Sequence, residues 1–251
     1  MLQSLGWAAL GTGFTFLMTS LGAAMVFFFT GEVKPRFQKT ILGFAAGVMT
    51  AASVWSLLLP AIDRAEEAGS FPGWVPASAG MLLGVVFLAT LDSLLPRLRG
   101  PAEASQRQSA LLMTAITLHN VPEGMAVGLA FALAASGEHF AGAAALALGI
   151  GIQNFPEGAA IALPLRQEGK SRRRAFWGGM FSGVVEPIFG VLVVLAAGWA
   201  TPLMPWLLSF AAGAMLYVVV EELVPQAHSR AGTCGFVGGF LIMMVLDVAL
   251  G

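Results

Sequence analysis

Charge is scarce in this chain. Asp, Glu, Lys and Arg make up 11% of its 251 residues, against 57% hydrophobic residues, whereas soluble domains carry about a quarter charged residues. A water-facing exterior cannot be built from that composition, which leaves a polytopic membrane protein. The net charge is -1, and no basic face exists to hold nucleic acid. The single cysteine, Cys234, excludes an intrachain disulfide and reads as a small buried thiol. No charged side chain occurs before Glu32, and the apolar run there exceeds the 7–15 residues of a leader's core, so a retained first span is expected. The strict alternation of barrel strands is also missing, so the spans are helices.

With about 20 residues per span, eight segments emerge near 5–30, 40–62, 74–95, 109–136, 140–165, 175–199, 203–225 and 233–250. Every Lys and Arg except Arg64 falls in the first, third, fifth or seventh loop: Lys34, Arg36 and Lys39; Arg97, Arg99 and Arg107; Arg166, Lys170 and Arg172 to Arg174; and Arg230. The positive-inside rule makes those loops cytoplasmic and puts both termini outside. The expected fold is therefore an all-α membrane protein of eight transmembrane helices.

Internal repeats refine it. Phe44-Ala-Ala-Gly47 returns as Phe210-Ala-Ala-Gly213, and Leu91-Asp92 returns as Leu246-Asp247. Helices 1–3 are thus repeated by helices 6–8 in inverted orientation, around the pair of helices 4 and 5, as in alternating-access transporters. Residues 1–251 read as one transmembrane domain, with a first three-helix repeat over 1–97, a central pair over 107–165 and a second repeat over 171–251.

The central pair carries one phrase twice, Leu118-His-Asn-Val-Pro-Glu-Gly124 and Ile152-Gln-Asn-Phe-Pro-Glu-Gly158. In each copy a polar side chain stands four residues before a glutamate, so His119 and Glu123 share one helix face, as do Gln153 and Glu157. Pro122 and Pro156 each remove a donor and displace the carbonyl one turn back, so a kink is expected in both copies. The sixth segment adds Glu186 beside Pro187. The three glutamates are expected at one depth, where unbalanced charges would cost several kcal/mol each or take up protons instead. Two divalent cations would supply four positive charges against three negative; one would leave a single negative charge. His119, Asn120, Gln153 and Asn154 offer neutral nitrogen and oxygen donors, a mixture suited to a borderline ion such as zinc rather than to calcium or magnesium. Polar groups that merely hydrogen-bond helices together are the simpler alternative. It fits the amides better than three intramembrane carboxylates.

His119-Asn120-Val121-Pro122-Glu123-Gly124 resembles the fourth-helix signature of the ZIP (Zrt-, Irt-like protein) family of divalent metal transporters. The resemblance covers essentially the whole chain and implies a two-metal site on His119, Asn120, Glu123, Gln153, Asn154, Glu157 and Glu186. It further implies import of zinc foremost, with cadmium, iron and manganese as other cargo, no catalytic cofactor, a multi-pass location in the cell membrane and a homodimer. Many eukaryotic members carry His-Glu-x-x-His-Glu on the fifth helix. Gln153-Asn154-Phe155-Pro156-Glu157-Gly158 instead resembles the GufA-like bacterial branch, and two imidazoles are missing. The third loop, Pro96 to Gln108, contains no histidine, so metal sensing there is not expected.

Other charges sort by side. Asp63 and Asp247 end segments two and eight on the outer side, with Glu66 and Glu67 in the adjoining loop, and could gather cations. Asp92, Glu221 and Glu222 lie toward the cytoplasmic ends of segments three and seven, with His228 beyond, and could relay a released ion. Snorkelling to the interface explains Asp63, Glu221 and Asp247 equally well. The competing function is an intramembrane metal-dependent hydrolase, in which a glutamate activates metal-bound water. Against an enzyme stand the near symmetry of the two phrases and the absence of a nucleophile or oxyanion constellation.

Overall fold

A computed structural model of the protein describes residues 2–28, 34–99, 104–134, 140–196 and 201–250. All regular structure among them is helical. Helix α1 spans Leu2–Phe28. Helix α2, Pro35–Ala52, opens on a proline whose missing N–H costs nothing in a first turn. It runs on through a π-helical stretch, Ser53–Leu58, into α3, Leu59–Ala68. Then come α4, Trp74–Arg99, α5, Ala104–Ala134, and α6, Phe140–Gln167. Ser171 caps α7, Arg172–Gly183, by accepting from the Arg174 N–H, and α8 follows over Val185–Leu195. After a 3₁₀ turn at Thr201–Leu203 come α9, Met204–Val218, a second π-helical stretch, Val219–Leu223, α10, Val224–Ala227, and α11, Arg230–Leu250.

Prolines account for the irregular places. Pro60 and Pro225 cannot donate to the carbonyls four residues back, at Ser56 and Glu221, and their rings push on those carbonyls. Both π-helical stretches contain the displaced carbonyl. Pro187 acts likewise on Gly183, where α7 stops and α8 begins after Val184. Pro156 leaves α6 in one run from Phe140 to Gln167. The expected interruption there does not develop into a break.

Six of these runs are long and apolar enough to cross a membrane: Leu2–Phe28, Pro35–Ala68, Phe140–Gln167, Arg172–Leu195, Met204–Ala227 and Arg230–Ala249. Helix α4 adds a shorter apolar stretch, Trp74–Thr90. An all-α membrane protein is what the chain builds. Leu82, Leu83, Val86 and Phe87 on α4, and Leu241, Ile242, Val245 and Val248 on α11, are exposed, as side chains bathed in lipid would be. One expectation needs correcting: the second run continues past 62 to Ala68, so Asp63 stands within α3 and not at its end, and Glu66 and Glu67 stand on α3 and not in a loop. The stop comes at Gly69, which takes φ 64, a left-handed conformation that favours glycine.

Glycines set the helix contacts. A Cβ on Gly47 of α2 would overlap the Phe236 carbonyl of α11, and one on Gly239 would overlap that of Phe44. Between α4 and α9, Gly84 meets the Phe210 carbonyl and Gly213 the Met81 carbonyl in the same way. Gly158 of α6 abuts the Thr19 carbonyl of α1, and Gly124 of α5 abuts the backbone of Glu186 at the start of α8. These last contacts bring α1, α5, α6 and α8 together around the polar residues.

Candidate metal site

Asn120 and Glu123 come from α5, Gln153, Asn154 and Glu157 from α6, and Glu186 from the first turn of α8. All six are exposed by 1% or less. Because side chains four apart share a helix face, Gln153 and Glu157 sit one turn apart on α6. Nε2 of Gln153 donates to Oε1 of Glu123 across the α5–α6 contact, and Gln153 also lies within hydrogen-bonding reach of Glu157. One amide therefore joins the carboxylates of both phrases.

A second group lies beside it. Nδ2 of Asn154 donates to Oε2 of Glu186 at 2.8 Å and approaches the Thr15 carbonyl at 3.4 Å. The Thr19 hydroxyl is 3.2 Å from Oε1 of Glu186. Nδ2 of Asn120 donates to the Ser182 carbonyl at 3.0 Å. Glu157 and Glu186 are close enough for their charges to interact.

In all three amides the NH₂ end is engaged, which fixes which way each faces, while Oδ1 of Asn120, Oε1 of Gln153 and Oδ1 of Asn154 accept no hydrogen bond among the described residues. A buried carbonyl without a donor costs about 1–3 kcal/mol, and nearly all such groups in folded proteins find one. Three together, beside buried carboxylates, form a set of oxygen acceptors that a cation can satisfy. Zinc and its neighbours accept carboxylate and carbonyl oxygen alongside imidazole nitrogen.

Among the described residues no three His, Cys, Asp or Glu side chains group as a metal cluster; the carboxylates share their surroundings with amides. The side chains of His119 and Asp92 lie outside the described residues. Asp63 and Glu221 are exposed, and Glu222 accepts from Nε2 of Gln226 at 3.4 Å. Asp247 is partly buried and its Oδ1 accepts from the Ser56 hydroxyl at 2.7 Å. None of these is as buried as the central group. Sequence reasoning missed Thr15, Thr19 and Ser182. A signal existed in Thr12, Thr15 and Thr19, whose spacing of three and four puts a hydroxyl stripe on one face of an apolar helix.

The family model described as ZIP Zinc transporter matches residues 99–247. The chain belongs to the ZIP family. Zinc transporter ZIP11 of Homo sapiens is 38% identical, the match covering 97% of this chain and 97% of that protein. Zinc transporter GufA of Myxococcus xanthus is 37% identical over 93% of this chain and 94% of its own. Zinc transporter ZIPB of Bordetella bronchiseptica is 39% identical over 98% of this chain and 82% of its own. Membership of the ZIP family, including its GufA-like branch, stands on these matches. The hydrolase alternative finds no support in them.

Proposed function

We propose that this ZIP-family chain carries divalent transition-metal ions, zinc first and cadmium, iron and manganese as further cargo, across a membrane into the cytoplasm through the buried site. Asn120, Glu123, Gln153, Asn154, Glu157 and Glu186, with His119 one turn before Glu123, supply the ligands of a binuclear site. The reading is carried by the three amide oxygens that accept no hydrogen bond beside buried carboxylates. The unmet groups of this pocket are oxygen acceptors, which suits a cation. No catalytic cofactor belongs to this scheme, and the chain is a transporter rather than an enzyme.

The same proposal includes eight transmembrane helices, both termini outside, the plasma membrane as location, the repeat boundaries 1–97, 107–165 and 171–251, and a homodimer. The inverted repeat draws support from the glycine contacts: Gly47 and Phe44 meet Phe236 and Gly239, while Gly213 and Phe210 meet Met81 and Gly84. A two-fold relation produces such reciprocal contacts, with the middle helix of each copy on the third helix of the other. The two π-helical stretches support it too, since each follows its Phe-Ala-Ala-Gly helix. Zinc uptake into proteoliposomes containing the purified chain tests the function, and absence of uptake beyond protein-free vesicles would refute it. Asp63 and Asp247 at the outer end, and Asp92, Glu221 and Glu222 at the inner end, are proposed to line the path.

A further inference from the structure

Helix α1 belongs to none of the sequence signatures, yet it reaches the site. Thr12, Thr15 and Thr19 are all fully buried, and the Thr12 and Thr15 hydroxyls donate to α1 carbonyls at Ala8 and Thr12. Thr19 differs. Its hydroxyl lies 3.3 Å from the Thr15 carbonyl and 3.2 Å from Oε1 of Glu186. A Cβ built on Gly183, one turn before Glu186, would sit 2.9 Å from the Thr19 side chain, so the threonine packs on the backbone that presents the carboxylate.

We propose that Thr19 is a positioning residue of the metal site: its hydroxyl holds Oε1 of Glu186, aiming Oε2, together with Oδ1 of Asn154, at the cargo ion. The inference rests on the proposed reading of the site. Two oxygens of one carboxylate can serve different partners, and a hydroxyl on one of them leaves the other for a metal. The competing donor on Oε2, Nδ2 of Asn154, has a second acceptor in the Thr15 carbonyl at 3.4 Å. When a cation arrives, Asn154 can give up Glu186 without stranding its NH₂ group, while Thr19 keeps the carboxylate in place. Thr15 also lies within reach of Glu186, so losing Thr19 alone weakens the arrangement without abolishing it.

Zinc titration calorimetry on the purified full chain, with the concentration dependence of uptake in proteoliposomes, tests this on wild type, Thr19→Val, Thr19→Ser, Glu186→Gln and the Thr19→Val/Glu186→Gln double variant. Valine keeps the shape and removes the donor, and a hydrogen bond to a charged group corresponds to roughly ten-fold in affinity. Thr19→Val should therefore raise Kd and KM about ten-fold, and Thr19→Ser should stay within about two-fold of wild type. In the Glu186→Gln background the valine should add little, as expected of residues acting through one contact. Wild-type affinity in Thr19→Val, failure of serine to rescue, or independent addition of the two effects would each overturn the role of Thr19. A wild type that binds no zinc would refute the reading of the site itself.

Discussion

Gln153 donates a hydrogen bond through Nε2 to Oε1 of Glu123, so the polar residue of one repeated phrase serves the glutamate of the other. The two phrases are thus joined by a direct hydrogen bond, as the proposed single site requires. Gln153 leaves its own Oε1 without a donor, in position to meet a cation.

Replacing Glu123 or Glu157 by Ala should reduce zinc uptake at least ten-fold with expression and thermal stability kept. Relief from holding a buried carboxylate charge offsets the loss of hydrogen bonds such as that from Gln153 Nε2 to Glu123. Uptake assays and thermal melts on the same preparations check this, and wild-type transport in either variant would end the assignment.

Gln153→His exchanges an amide oxygen for an imidazole, a softer nitrogen donor. The order of preference among zinc, cadmium, iron and manganese should change in competition uptake assays. An unaltered order would place Gln153 outside the ligand shell.

Protons compete with metal for carboxylate ligands, and metal binding releases them. Zinc affinity should therefore weaken steadily as pH falls, and Glu186→Gln, with one fewer competing site, should show a flatter dependence. Calorimetric Kd values across a pH series decide it; parallel curves would remove Glu186 from the proton-linked set.

In a Cys234→Ser background, Gly69→Cys should react with a membrane-impermeant thiol reagent on intact cells and Lys170→Cys should not. The reverse pattern would invert the orientation drawn from the positive-inside rule.

Gly158→Ala would drive a methyl group into the Thr19 carbonyl, whereas a Cβ on Gly142 meets open space. Overpacking of this kind costs about 1–3 kcal/mol. Melting of the purified protein should fall several degrees for Gly158→Ala and stay level or rise for Gly142→Ala. Equal melting of the two would mean that α1 and α6 are not held by this contact.

The sequence by itself determined the class of the molecule, the family signature and the candidate residues of the proposed site. Scarce charge and long apolar runs permit only membrane helices, because a bilayer leaves no partner for unpaired backbone groups. The described helical runs accordingly begin and end within a few residues of the expected segments, except that α3 runs on to Ala68 before Gly69 stops it. The doubled Asn-x-Pro-Glu-Gly singled out Asn120, Glu123, Asn154 and Glu157 as candidates, and the four-residue periodicity of a helix face paired Glu123 with His119 and Glu157 with Gln153. Tertiary structure alone decided which partners those residues meet. Thr19 and Glu186 are 167 positions apart, and hydropathy counts a threonine in an apolar helix as filler. The close approach of α1 to the junction of α7 and α8, where Thr19 packs on Gly183, brings that hydroxyl to the carboxylate. The free amide oxygens were equally illegible, because an amide's unmet acceptor is defined by every group around it and not by its own place in the chain.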